Sequence, residues 1–222
     1  MKRILVIVLG LILIVLGVVF VGRALTIKNT FDLKVESDTD VHIYRDGVYT
    51  RTVLETYKKG LRRMATTSGS INPTFYKVSS NGKVSEVSSN KYVLKKEVKF
   101  RTTNDYGDIE VEMSLDSTNS KELNNTLRVM IVIDGRFYIF APGEEPNQSY
   151  KGTVGKNSDG KAILSEEFET LSKFHKTNIV TGFTMLEEFT MTIYVWYEAN
   201  DGSVTNYRAK GKNTNSLVIT LC

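Results

Sequence analysis

Between Val41 and Val53, and again between Arg128 and Phe140, apolar and polar residues alternate on either side of an Asp-Gly pair. Val41-His42-Ile43-Tyr44-Arg45 precedes Asp46-Gly47, and Val48-Tyr49-Thr50-Arg51-Thr52-Val53 follows it. Arg128-Val129-Met130-Ile131-Val132-Ile133 precedes Asp134-Gly135, and Arg136-Phe137-Tyr138-Ile139-Phe140 follows. Period two sends successive side chains to opposite faces of a strand, and Asp-Gly accepts the positive φ of turns that match strand twist, so both stretches predict β-hairpins. The same turn chemistry recurs at Asn81-Gly82, Asp159-Gly160 and Asp201-Gly202. Further strands are predicted over residues 91–101, 108–115 and 217–221. Helical signals are few. Residues 53–64 place Val53, Leu54, Tyr57, Leu61 and Met64 at helical spacings, interrupted by Gly60, and residues 165–174 open on a serine cap with Glu in the first turn.

Residues 182–202 carry two conflicting patterns. Gly182-Phe183-Thr184-Met185-Leu186-Glu187 is similar to the processing site of a type IV prepilin, but such a site needs a short basic leader before it and a long apolar helix after it. Here Phe189, Met191, Ile193, Val195 and Tyr197 alternate with Thr190, Thr192, Tyr194, Trp196 and Glu198. Period two with β-branched and aromatic residues is a strand, which excludes the pilin reading. The whole pattern predicts an all-β chain: an antiparallel, jelly-roll-like β-sandwich with one or two short helices.

The N-terminus departs from this pattern. Lys2-Arg3 precedes an uncharged apolar run from Ile4 to Val21, followed by Gly22-Arg23. As a helix this run spans about 27 Å, close to the hydrocarbon core of a bilayer. Its leading basic pair predicts a cytoplasmic N-terminus and an exported remainder. The chain therefore divides into a transmembrane signal anchor, residues 1–25, and an extracellular domain, residues 26–222. The run is longer than a secretory signal core, which favours a retained anchor in the cell membrane. Gly22-Arg23-Ala24 has signal-peptidase spacing, so cleavage and secretion stay open. A single cysteine, Cys222, excludes an intrachain disulfide. The net charge is +4. Basic residues cluster at Lys58, Lys59, Arg62 and Arg63, and at Lys91, Lys95, Lys96, Lys99 and Arg101. Such clusters attract anionic surface polymers and imply no specific nucleic-acid recognition.

A resemblance enters at the C-terminal half. Trp196, Glu198, Asn200, Asp201, Thr205 and Asn206 stand where many exported Gram-positive proteins carry Trp-Leu-Glu-Gly-Asn-Asp-Pro-x-Cys-Thr-Asn. Upstream, an apolar strand, an Asp-Gly turn and a tyrosine-containing strand run from Arg128 to Ile139, and the chain ends in a short apolar strand, as in the same proteins. In these features residues 115–222 resemble the TasA/camelysin group of secreted β-sandwich proteins. Tyr197, Ala199, Gly202 and Val204 depart from that run. The resemblance implies a surface structural protein whose relatives build extracellular fibres in the biofilm matrix. Camelysin-type proteins have also been described as proteases, but this sequence supplies no nucleophile or metal set for that chemistry.

No His-Glu-x-x-His, Gly-x-Ser-x-Gly or phosphate-binding loop occurs, and His42 and His175 lie far apart. Asp105, Asp108 and Asp116 lack the oxygen density of a calcium loop. Adjacent carboxylates at Glu166-Glu167 and Glu187-Glu188 point to opposite faces if extended. No catalytic, cofactor or metal site is expected, and no enzyme. The leading expectation is a cell-surface structural or adhesive protein assembling by strand addition. Its donor strand lies within residues 25–36, where Ile27, Phe31, Leu33 and Val35 share one face and fill a neighbour's sheet edge, the sandwich folding without them. The alternative is a membrane-tethered binding or sensing module for an unspecified ligand.

Overall fold

The computed structural model describes residues 30–38, 41–57, 61, 63–66, 70–79, 81–88, 92–103, 107–119, 121–143, 148–172, 177–199 and 214–222 of the chain. The expected anchor, Ile27, the basic residues Lys58, Lys59, Arg62 and Lys91, Asp105, His175 and the Asp201-Gly202 turn lie outside these residues. Among the described residues no helix is long and apolar enough to cross a membrane.

The alternating stretches form strands. In chain order these begin with β1 (Thr30–Ser37), β2 (Val41–Arg45), β3 (Val48–Thr50), β4 (Thr52–Tyr57), β5 (Arg63–Thr66), β6 (Phe75–Val78), β7 (Val84–Val87) and β8 (Leu94–Thr102). After β9 (Asp108–Ser117) comes one short helix, α1 (Lys121–Asn125), then β10 (Leu127–Ile133), β11 (Arg136–Ala141), β12 (Gln148–Lys156) and β13 (Ala162–Ser172). β14 (Thr177–Thr181), β15 (Glu188–Glu198) and β16 (Thr214–Leu221) complete the order.

Two sheets result. The smaller runs β14-β9-β16-β1-β4. The larger runs β12-β13-β11-β10-β15-β5-β6-β7, and β8 joins it alongside β15, with β2 and β3 beyond. Inward residues of both sheets share one core, including Leu33, Val111 and Ile219 from the smaller and Ile43, Phe100, Val129 and Ile193 from the larger. The described residues are therefore of the all-β class, with two sheets facing each other across a common apolar layer. A second core lies on the other face of β10 and β15, where Met64, Phe75, Met130, Ile139, Tyr194 and Trp196 pack together. Phe75 meets the Trp196 ring edge-on at 5.5 Å, a favoured aromatic arrangement. Strand β15 is covered on both faces from Tyr194 to Glu198.

The turns explain the register. Asp46 and Gly47, and Asp134 and Gly135, all have positive φ, the conformation that a two-residue hairpin requires and that Asp-Gly tolerates. The Asn81-Gly82 and Asp159-Gly160 turns use a longer form. Gly82 N–H donates to Ser79 and Gly160 N–H to Asn157, each at 2.9 Å, and only the glycine of each pair takes positive φ.

Several expectations are corrected. The helix over residues 53–64 is absent: β4 pairs with β1, Val53 opposite Val35, and β5 pairs with the end of β15. Thr52, Val53, Thr56 and Tyr57 are β-branched or aromatic, and an available strand edge outweighs weak helical spacing. The helix over 165–174 is also replaced, because the Asn157–Gly160 turn folds β13 back on β12. The sheets are not purely antiparallel. Parallel pairs form between β1 and β16, β11 and β13, and β15 and β5, all between strands too distant in sequence for a hairpin. Helix α1 was not anticipated; it buries only Leu123.

Ile193 faces the main core while Thr192, opposite Glu97 and Val132, is only half-buried. Ile193→Asp is expected to destabilise by about 4 kcal/mol or more through an unpaired buried charge. Thr192→Asp should cost about 1 kcal/mol. Denaturant unfolding of both variants checks the contrast.

Candidate functional site

The alternation in Phe31-Asp32-Leu33-Lys34-Val35-Glu36 turns Phe31, Leu33 and Val35 inward, where they are 1%, 1% and 0% exposed. β1 lies between β16, parallel, and β4, antiparallel. Leu33 stands opposite Leu217 and Glu55, and Val35 opposite Ile219 and Val53. On the outward face Lys34 pairs with Glu36, which accepts from the Thr220 hydroxyl at 3.3 Å. Three of the four expected donor-strand residues are thus brought together, and Ile27 lies outside the described residues. They fill this chain's own sheet. Burial of such side chains contributes about 1.5–3 kcal/mol each, so β1 is a structural member of the domain rather than a dispensable extension.

The other candidates disperse. Strand alternation splits the second basic cluster: Lys95, Lys99 and Arg101 share the outer face of β8, while Lys96 turns the other way and meets Glu55 at 2.9 Å. Glu187 caps its own turn, accepting from the Thr184 N–H at 2.9 Å, and Glu188 is engaged elsewhere. Asp108 accepts from the Asn178 amide at 3.0 Å. Among the described residues no group of three or more His, Cys, Asp or Glu side chains could hold a metal ion. A cleft of ≈ 100 Å³ opens beside Asp134, Arg136, Gly182 and Glu187, well below the size of a typical small-molecule pocket. Cys222 is held by backbone hydrogen bonds to Glu110 in both directions.

Trp196 and Glu198, which carry the sequence resemblance, have a folding role. Both are fully buried on the same face of β15, and the indole N–H donates to the Glu198 carboxylate at 2.9 Å. Arg128 is buried directly opposite Trp196 and donates to the Asn125 and Leu127 carbonyls. A Trp-x-Glu pattern on a strand therefore brings an aromatic ring and its acceptor together two residues apart.

The outer face of β2, β3, β8 and β15 holds a cluster that the sequence did not reveal. The Tyr49 ring lies over the Arg101 guanidinium at 4.0 Å, and its hydroxyl donates to Glu188 at 2.7 Å. Tyr44 packs against Tyr49 at 5.0 Å, and His42 lies 6.4 Å from it. The register explains the meeting: Tyr44 pairs with Tyr49 and Lys99, His42 with Arg101, and Arg101 with Glu188. The strands that carry these residues were expected from sequence, but which strands adjoin was not. The hydrogen bond to Glu188, with desolvation of the phenol, raises the Tyr49 pKa above 10.0, against an opposing pull from Arg101. Burial raises Tyr57 as well.

Comparison with family models and with curated proteins finds no match to this chain.

Two outcomes are expected. Glu198→Ala leaves the buried indole N–H without its acceptor and should destabilise by about 2–4 kcal/mol in denaturant unfolding. For Tyr49 the folded state holds its proton longer than the unfolded chain does. Its stabilising effect is intact below pH 10.0 and is lost as pH rises through the higher folded-state value. Stability measured against pH should therefore fall more steeply above that point in the wild type than in Tyr49→Phe. Superimposable profiles would contradict the assignment.

Proposed function

We propose that the chain is an exported surface protein, anchored by the apolar run of residues 4–21, whose β-domain is a structural subunit linking copies by exchange of β1. It is a non-catalytic protein with a cytoplasmic N-terminus. The observation that carries this reading is the seat of β1. The strand follows the expected anchor, joins β2 through residues 38–40 alone, and fills a slot between β16 and β4 with three inward side chains. A second copy's β1 makes the same contacts in the same slot, so exchange preserves the interface while joining subunits. The strand addition expected from sequence becomes strand exchange, because the slot is part of the folded domain. The TasA/camelysin resemblance of residues 115–222, with the jelly-roll-like relation it implies, points in the same direction. The alternative, a tethered binding module, is favoured by a separate observation, the ordered aromatic–cationic face of the other sheet.

Exchange is tested by locking β1 in place. Lys34 and Leu54 are register partners on the outward face of β1 and β4. In a Cys222→Ser background, Lys34→Cys with Leu54→Cys should form a disulfide that holds β1 in its own domain. Residues 26–222 carrying the pair are expected to stay monomeric when oxidised and to assemble on reduction, followed by light scattering and electron microscopy. Equal assembly in both states, or a wild-type domain that stays monomeric at every concentration, removes the proposal.

A further inference from the structure

We propose that the outer face of β2, β3, β8 and β15 binds an acidic polysaccharide, with the Tyr44 ring as stacking platform and Lys99 as the contact to its carboxylates. This goes beyond strand exchange and does not depend on it, since β1 belongs to the other sheet.

The platform is built. Tyr44 is 40% exposed, a large aromatic ring presented to solvent. It rests on Tyr49 with the two rings inclined at 54°. Tyr49 is itself fixed by its hydrogen bond to Glu188 and its stacking on Arg101. A ring held this way loses little freedom on binding, which is where much of the cost of recognising a flexible polymer arises.

The charges on this face are unequally compensated. Glu97 engages Lys95 at 3.7 Å, and Glu188 takes the Tyr49 hydroxyl. Lys99 has no carboxylate partner among the described residues, whereas Arg101 lies across from Glu188 and against the Tyr49 ring. Lys99 lies directly across from Tyr44, and Arg101 is two residues further along the same face, about 7 Å away. An unmatched cation, Lys99, beside an exposed ring complements a chain that carries carboxylates between flat apolar ring faces. The exposed Thr190 hydroxyl, opposite Lys99 on β15, adds a neutral hydrogen-bonding group.

The shape selects the same class. The surface is an open sheet face, which suits a polymer lying along β8 more than a small molecule that needs enclosure. A single-stranded nucleic acid calls for successive rings on which successive bases stack. On this face Tyr44 is the ring presented, while Tyr49 is occupied by Arg101 and Glu188.

The test uses the full-length chain in mild detergent, with polygalacturonate as probe and titration calorimetry as readout. Binding is expected, weakening with added salt. Tyr44→Ala and Lys99→Gln should each weaken it roughly tenfold, with unchanged thermal unfolding. Lys95→Gln, whose charge is already matched by Glu97, should leave binding unchanged. Methyl-esterified polygalacturonate, which has lost its carboxylates, should not bind. If wild type fails to bind polygalacturonate, the proposal is wrong. If polyphosphate binds as tightly and Tyr44→Ala has no effect, the face is only a cationic surface, and the proposal is equally overturned. The disulfide-locked variant separates this site from strand exchange, because it should bind polygalacturonate as wild type does whether or not it assembles.

Discussion

Burial of β15 on both faces is the constraint on which the rest of the domain depends. Met191, Ile193 and Val195 form part of the core between the two sheets, while Tyr194 and Trp196 turn into the second core under β5 and β6. The same strand is hydrogen-bonded along one edge to β10 and along the other to β8 and then β5. A strand in this position cannot carry an unsatisfied polar group cheaply. The buried pairing of the Trp196 indole with Glu198 follows from that requirement.

Two surfaces stand out against this rigid centre, and they occupy different sheets. β1 lies inside the smaller sheet, between β16 and β4, with Phe31, Leu33 and Val35 wholly internal, so any role in the proposed exchange would rest on the identity of its slot rather than on an exposed patch. The Tyr44–Tyr49 face belongs to the larger sheet and is held in shape by contacts spanning β2, β3, β8 and β15. The proposed strand exchange would use one sheet and the proposed polysaccharide binding the other, so the two do not compete for the same surface.

Local chemistry was the legible part of the sequence. The Asp46-Gly47 and Asp134-Gly135 hairpins follow from alternation and from turn residues that accept positive φ. The inward face of β1 was equally plain from Phe31, Leu33 and Val35. What could not be read was which strands adjoin. The pairing of β1 with β16 brings together distant segments with no turn between them to announce it. The error over residues 53–64 has the same origin: Val53, Tyr57 and Met64 satisfy a helical spacing and two strand patterns alike, and only the neighbouring edges of β1 and β15 decide. The aromatic–cationic face was hidden for this reason too, since His42, Tyr44 and Tyr49 meet Arg101 and Glu188 through a four-strand register.

The parallel pairing of β1 with β16 has a consequence in time. Glu36 and Thr220, joined by a hydrogen bond, are 184 residues apart. β4, the other neighbour of β1, follows it closely along the chain. As the polypeptide is synthesised, β1 gains one edge early and waits with the other bare until β16 has been made. Pairing at such separation is entropically slow. A nascent domain therefore carries an unoccupied hydrogen-bonding edge for most of its synthesis, and under the proposed exchange the crowding of emerging copies would offer neighbours that edge more readily than opening of the finished fold.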